Sequence, residues 1–346
     1  MAGAREILLG TARIRRPDMH HRKAVITAVL AAALTVLCIA IGSETSALPL
    51  VIGVTFTGIL NLTGAFDVRV RAMAWTVPWL AGATLLGGLV SSWRWYELII
   101  VACVGLAGGY AGALGTRGML IGILAMVVYT VFAGVDATPA QAVQSALLMA
   151  AGSVLHLLVS TVPALIRSPR PLGQRTEHPE SWVARLDPRR RVDDLFLHHA
   201  IRLAAALVVG SAIAEAVAWP HPYWIPMTIV WMSKPDAQGT VTRVVERILG
   251  TALGVAVTAL LIDGISDSDI AIPIYVGIGV FLLLAFLFAN YPIAVVGVTL
   301  MVLTLLSLPG RTVVDTLDSR MFATVVAGMI TIAAAFILWR RAPEPR

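Results

Sequence analysis

Residues 222–262 read PYWIPMTIVWMSKPDAQGTVTRVVERILGTALGVAVTALLI and contain two apolar runs, 222–233 and 240–262, on either side of a polar turn. As a helix rising about 1.5 Å per residue, the second run is long enough to cross a hydrocarbon core of about 30 Å. The first run is too short to do so. A full-length apolar segment beside a short one indicates a membrane protein in which one span is interrupted.

Apolar runs of this kind continue through nearly the whole chain of 346 residues. Hydrophobic residues make up 58% of the chain and charged residues 13%, against roughly 25% charged residues in soluble domains. The sequence therefore predicts an all-α polytopic membrane protein with about twelve transmembrane helices. The predicted spans are 24–41, 48–64, 73–90, 98–115, 118–134, 141–166, 200–218, 222–233, 240–262, 270–289, 291–308 and 320–339.

The predicted spans fall into two blocks of similar length. The third span of each block contains a similar element, ATLLG at 83–87 and GTALG at 250–254. Because six spans return the chain to the same side of the membrane, we expect two tandem six-helix repeats in the same orientation. In chain order the predicted parts are a basic tail, 1–23, the first repeat, 24–166, a linker, 167–199, the second repeat, 200–339, and a tail, 340–346.

The basic residues fix the expected orientation. With the N-terminus inside, 23 of the 26 lysine and arginine residues fall in segments on the inner side, as the positive-inside rule requires. We therefore expect a multi-pass protein of the bacterial inner membrane with both termini cytoplasmic and with membrane lipid around it. The sequence pI near 9.8 follows from these short basic loops, so we expect no nucleic acid partner.

Two motifs of the second half occur in succession: YWIPMTIVWMSKPD at 223–236 and RVVERILGTALG at 243–254. Together they resemble the fusaric acid resistance (FUSC-like), or aromatic acid exporter, membrane family, and the resemblance is clearest from about residue 196 to 340. The first half departs from the pattern, because Leu80 and Ala83 stand where Arg247 and Gly250 would be expected. The resemblance implies export of aromatic or other weak organic acids, with a small organic anion as the partner.

The residues of 243–254 can also be interpreted without the family. On a helix Arg247, Gly250, Thr251 and Gly254 share one face, and the spacing of the two glycines predicts close helix packing. Arg243 lies one turn before Arg247. The two arginines either anchor the inner end with Glu246 as partner or form an anion funnel, since a guanidinium offers two parallel donors to a carboxylate.

The short run 222–233 has a counterpart in 48–64, and short interrupted segments at matching positions of two repeats point to a substrate site near the membrane midplane. Tyr223 and Trp224 are either interface anchors or rings that stack on an aromatic substrate. We predict that the substrate-binding residues are Tyr223, Trp224, Pro226, Thr228, Arg243, Arg247 and Thr251, with Gly250 and Gly254 in helix packing.

Two ionisable residues lie within predicted spans, where such residues are candidates for function. Either His156 or Glu215 could exchange a proton for substrate, although His156 could equally be a buried, neutral, hydrogen-bonded side chain. Asp236 is expected to cap the helix that follows it. The histidine pairs His20-His21 and His198-His199 lack the spacing of a helical metal site, so we expect no metal.

The sequence contains neither a G-x-x-x-x-G-K-[ST] nor a G-x-S-x-G motif, and we expect no enzyme activity and no cofactor. The first hypothesis is a proton-coupled secondary exporter of aromatic or other weak organic acids. The alternatives are a passive organic-anion channel and a membrane scaffold subunit of a larger efflux assembly. Glycine pairs such as Gly105/Gly109 leave room for close contacts within the chain or between copies in a homo-oligomer.

Overall fold

The computed structural model describes residues 14–91, 94–167, 195–218, 221–261, 270–308 and 314–337, and these contain α-helices and no strand. Each predicted apolar run corresponds to one helix. The predicted all-α class is therefore confirmed, while most of the linker 167–199 and most of both tails lie outside the described residues. The helices are α1 His21–Ala40, α2 Ala47–Asn61, α3 Phe66–Val90, α4 Arg94–Tyr110, α5 Thr116–Ala133, α6 Pro139–Arg167, α7 Leu195–Ala216, α8 Trp224–Met232, α9 Ala237–Leu260, α10 Ala271–Phe286, α11 Tyr291–Ser307 and α12 Val314–Ile337.

Seven of the described helices are long and apolar enough to cross a membrane: α1, α3, α4, α5, α6, α7 and α12. Helices α10 and α11 are apolar but shorter, α2 and α8 have 15 and 9 residues, and α9 carries Arg243, Glu246 and Arg247. The predicted total of twelve spans therefore stays a prediction.

The exposed side chains are those expected of a surface in contact with lipid. Helix α1 exposes Val25, Val29 and Val36 and buries Ala24 and Ala28. In water such apolar surfaces would favour aggregation, whereas in a bilayer they face lipid chains and small residues mark the faces that pack against other helices.

The described chain divides into two compact units. Unit 1 comprises Met1–Ala81, Gln144–Arg170 and Val245–Phe322, and unit 2 comprises Gly82–Val143, Pro171–Val244 and Ala323–Arg346. In unit 1, α10 packs against α1 and α11, and α1 packs against α2. Its core consists mainly of buried alanine, valine and leucine side chains from these four helices.

In unit 2, α4 packs against α7 and α5, and α8 packs against the same two helices. Glycines allow the close contact of α4 with α7, since a Cβ at Gly105 would lie 2.9 Å from Ala204 Cα and one at Gly109 would lie 2.7 Å from Ala200 Cα. The sequence left open whether Gly105 and Gly109 pack within the chain or against another copy. In the structure both pack within the chain.

The compact units do not follow the sequence halves. Unit 1 contains the first two helices of the first half, α1 and α2, with the fourth and fifth helices of the second half, α10 and α11. Unit 2 contains the reciprocal set, α7 and α8 with α4 and α5. Each unit is therefore assembled from equivalent positions of the two halves.

Candidate functional site

The short helix α8 lies entirely within unit 2 and is almost completely buried. Trp224 is 0% exposed, and its ring centroid lies 4.4 Å from that of His221. Tyr223 is also buried and lies against Gly134. An interface anchor would face lipid, so the burial of both rings favours a role inside the protein.

Two further candidates lie on α8. Pro226 is its third residue, a position where the missing N–H removes no helical hydrogen bond. Thr228 is 0% exposed, and its hydroxyl has no hydrogen-bond partner among the described residues. Buried hydroxyls are nearly always hydrogen-bonded. Thr228 is therefore an unusual polar group in an otherwise apolar helix.

The turn between α8 and α9 is held by a cation from α7. Arg202 Nη2 donates hydrogen bonds to the backbone oxygens of Lys234 and Pro235, both at 2.9 Å. These two oxygens lie just after the end of α8, where backbone groups have no partner in a helix and must be satisfied by other donors. Asp236 directly precedes α9, and its carboxylate accepts a hydrogen bond from Gly239 N as the predicted cap.

The matching short helix α2, in unit 1, ends in the same way. Its third residue is Pro49, and its residues from Val51 to Leu60 are all buried. Lys23 Nζ of α1 donates to the backbone oxygens of Asn61 and Leu62, both at 2.8 Å. In each half, therefore, a cation from the first helix binds backbone carbonyls near the end of the second, at the end of α2 itself and in the turn just after α8.

Helix α9 carries the predicted arginine and glycine face, and in unit 1 this face packs against α11. Arg247 is 2% exposed and donates from Nη1 to Tyr291 Oη at 3.3 Å. A Cβ at Gly250 would lie 2.6 Å from Pro292 O, and one at Gly254 would lie 2.7 Å from Thr299 Cβ. The glycines thus bring the backbone of α9 against α11.

Thr251 lies between the two glycines in sequence and is fully buried. Neither its hydroxyl nor that of Thr299 on α11 has a hydrogen-bond partner among the described residues. The face that begins with the guanidinium of Arg247 therefore continues with hydroxyl groups.

The matched element of the first half packs in the equivalent way. A Cβ at Gly87 of α3 would lie 2.6 Å from Tyr129 O on α5. Gly87 therefore brings α3, the third helix of the first half, against α5, the fifth. Gly254 does the same for α9 and α11 in the second half.

His156 of α6 is buried in unit 1 within a short polar chain. Its Nε2 lies 3.1 Å from Ser160 Oγ, which also accepts a hydrogen bond of 3.2 Å from Asn61 Nδ2. The Asn61 backbone oxygen is one of the two that bind Lys23. Nδ1 of His156 has no hydrogen-bond partner in the described part of the chain.

The remaining candidates lie in unit 2. Glu215 is exposed near the end of α7, and Arg243 is half-buried on α9. Unit 1 thus contains Arg247, Gly250, Thr251, Gly254 and His156, and unit 2 contains Tyr223, Trp224, Pro226, Thr228, Arg243 and Glu215.

Sequence reasoning missed Lys23 and Arg202 as helix-ending cations, since both were counted only as inner-side charge. The sequence feature that they share is a cation near the start of the first span of each half. The structure also buries Tyr291, a residue that the sequence motifs do not include, beside Arg247. Among the described residues, no group of three or more His, Cys, Asp or Glu side chains could hold a metal ion.

Comparison with known proteins finds a family match in the second half of the chain. Residues 206–334 match the family described as "Fusaric acid resistance protein-like". This confirms the resemblance predicted from the two motifs. Every candidate substrate-binding residue lies within the matched segment, while His156 lies outside it.

Three curated relatives match about half of this chain. An uncharacterized protein of Synechocystis is 29% identical over 48% of this chain and 22% of its own length. The uncharacterized protein ORF2 of Neisseria gonorrhoeae is 28% identical over 46% of this chain and 38% of its own length. The inner membrane protein YccS of Escherichia coli is 28% identical over 46% of this chain and 22% of its own length. No solved structure matches the chain significantly.

Proposed function

We propose that this FUSC-like membrane protein is a proton-coupled secondary exporter of aromatic or other weak organic acids. It resides in the bacterial inner membrane with both termini cytoplasmic. The similarity to an inner membrane protein of Escherichia coli supports the location, and the distribution of basic residues supports the orientation.

The observation that carries the proposal is the burial of Arg247 on α9, one of the predicted spans. A guanidinium within a membrane segment is expensive to bury, and such residues mark substrate or ion pathways. Its planar fork of donors matches a carboxylate. Thr251 follows one turn later with a buried hydroxyl, so this face of α9 offers the groups that an organic acid requires.

The short helices support a pathway through the protein. Thr55 and Thr57 on α2, like Thr228 on α8, are fully buried, and their hydroxyls have no hydrogen-bond partner in the described ranges. Short helices at matching positions of two repeats are typical of transporters with a site near the midplane. The equivalent packing of α3 on α5 and of α9 on α11 supports twelve spans formed by tandem duplication.

Proton coupling is assigned to His156. An imidazole has two ring nitrogens that can bind and release protons. The polar chain through Ser160 and Asn61 supplies groups that could carry that proton. Passive conduction of the anion is the alternative that the flux measurements below separate from exchange.

The test is uptake of radiolabelled benzoate into inverted membrane vesicles containing the native chain or Arg247→Leu. We expect Arg247→Leu to lower the initial rate by roughly tenfold or more, because a charge-assisted contact to the carboxylate is lost. Arg247→Lys should give an intermediate rate, since it retains the charge without the planar fork.

Arg71→Leu is the matched control, because Arg71 is exposed and pairs with Asp67 at 2.7 Å on α3. Its rate should equal that of the native chain. Equal rates for the native chain and a folded Arg247→Leu would remove Arg247 from the pathway. Flux that appears only after a stoichiometric partner is added would favour the scaffold alternative.

A further inference from the structure

Two cations of unit 1, Lys23 of α1 and Arg69 of α3, meet at the turn that joins α2 to α3. Lys23 Nζ donates to the backbone oxygens of Asn61 and Leu62, and Arg69 Nη1 donates to that of Gly64 at 3.1 Å. The two positive charges are close enough to act on one another. One short turn therefore holds an ammonium and a guanidinium near each other.

No carboxylate pairs with either charge in the described part of the chain. Asp67, two residues before Arg69, is engaged by Arg71 at 2.7 Å, and no ion pair joins Lys23 or Arg69 to an acidic side chain among the described residues. Both side chains are half-buried, and repulsion between like charges is stronger where water is partly excluded. An anion from outside the chain would remove this repulsion.

Both groups keep donors for such an anion. A lysine ammonium has three N–H donors and an arginine guanidinium has five. In the described structure Lys23 uses two of them and Arg69 uses one, all on backbone oxygens. Arginine and lysine are the side chains that commonly bind phosphate oxygens in proteins. The turn thus offers the groups that a phosphate requires.

The position of the two cations along their helices points to a lipid rather than to a free phosphate. Lys23 is the third residue of α1 and Arg69 the fourth of α3, and both helices are long and apolar enough to cross a membrane. Charges at the end of a span lie at the level of the phospholipid headgroups. Ile26 and Val29, which follow within two turns on α1, are 47% and 63% exposed. Acyl chains attached to the phosphate would lie along this apolar surface.

We propose that Lys23 and Arg69 together bind the phosphate of an anionic phospholipid. The phosphate lies between the two side chains, and the acyl chains pack on the exposed side chains of α1 and on Trp75 of α3, which is 65% exposed. A lipid with a net negative charge is favoured because basic residues near the headgroups attract it, whereas the ammonium of a zwitterionic headgroup is repelled. The site binds lipid whether or not the protein transports an acid.

Native mass spectrometry of the purified full chain in detergent, titrated with phosphatidylglycerol or phosphatidylcholine, tests the site. The native chain should bind phosphatidylglycerol about fivefold more tightly than phosphatidylcholine, and Arg69→Gln and Lys23→Gln should each weaken phosphatidylglycerol binding by about fivefold. Arg69→Lys should recover most of the affinity. Arg22→Gln, which removes an exposed cation from the same end of α1, should have little effect.

Equal affinity of the native chain for the two lipids would overturn the proposal, and so would native binding of phosphatidylglycerol by a folded Arg69→Gln. An equal loss in Arg22→Gln would also overturn it, because the attraction would then belong to the whole basic surface. Displacement of phosphatidylglycerol by an equal concentration of glycerol phosphate would show that the cations bind a free phosphate, and would reject the lipid.

A measurement on the native chain makes the test independent of how the variants fold, since Lys23→Gln also removes the charged donor of Asn61 O and Leu62 O. An amine-reactive reagent should acetylate Lys23 more slowly in the presence of phosphatidylglycerol, and phosphatidylcholine should give no protection. Mass spectrometry of the peptides measures the extent of acetylation. Equal acetylation of Lys23 in both lipids would remove Lys23 from the site.

Discussion

At the scale of single residues, the face of α9 is where sequence and structure agree most closely. The i, i+3, i+4, i+7 spacing placed Arg247, Gly250, Thr251 and Gly254 together, and the structure puts both glycines against α11. The partner helix was not predictable, because spacing defines a face but does not name the helix that packs on it. The contact of Arg247 with Tyr291 was missed for the same reason.

The glycine contacts give a matched pair of substitutions. Gly250→Ala places a methyl group 2.6 Å from Pro292 O, so the helices must move apart, and we expect a loss of roughly 1–3 kcal/mol. Gly82→Ala on α3, which meets nothing within 4 Å, should instead gain about 0.5–1 kcal/mol from helix propensity. Unfolding midpoints of the two variants in the same detergent check the difference, and shifts of the same sign would contradict it.

At the scale of elements, the two short helices could be predicted, but the way they end could not. Their lengths follow from apolar runs that stop at polar residues. The Lys23 and Arg202 contacts join residues that are 38 and 32 positions from their first acceptors, and no local pattern reveals such pairing. Each cation satisfies backbone carbonyls that lipid could not, at the end of α2 and in the turn after α8.

Removal of the Lys23 cation should loosen the end of α2. Lys23→Met leaves the oxygens of Asn61 and Leu62 without their charged donor, and hydrogen bonds to charged groups contribute about 1.5–3 kcal/mol. We expect a lower unfolding midpoint and faster amide hydrogen exchange at the end of α2. Lys23→Arg should recover most of the stability, and Arg22→Met serves as the exposed control. An unchanged midpoint in Lys23→Met would show that these hydrogen bonds contribute nothing.

At the scale of the whole molecule, the sequence predicted twelve apolar runs and two similar halves, and each run corresponds to a helix. It did not predict how the helices combine into compact units. One unit contains α1, α2, α10 and α11, and the other contains α4, α5, α7 and α8. This grouping of helices depends on close contacts between small residues that are far apart in the sequence, such as Gly105 and Ala204. Composition and periodicity carry no information on such pairing.

The proposed orientation can be checked with two cysteines in a chain carrying Cys38→Ala and Cys103→Ala. Asp136 and Ala65 are both exposed, in the loops after α5 and α2, and the charge distribution places the first outside and the second inside. A membrane-impermeant maleimide should label Asp136→Cys in intact cells and Ala65→Cys only after permeabilisation. The reverse pattern would invert the orientation and remove export as the direction of transport.

The central claim is exchange of an organic acid for protons, and accumulation of benzoate in proteoliposomes tests it most directly. The interior is made acidic while potassium and valinomycin hold the membrane potential at zero. Benzoic acid that diffuses in its neutral form collects on the alkaline side, so protein-free liposomes should exclude benzoate. The native chain is predicted to accumulate benzoate in the acidic interior, and accumulation should be lost in Arg247→Leu. Uptake by the native chain that does not respond to the pH gradient, or no uptake at all, would contradict proton-coupled export.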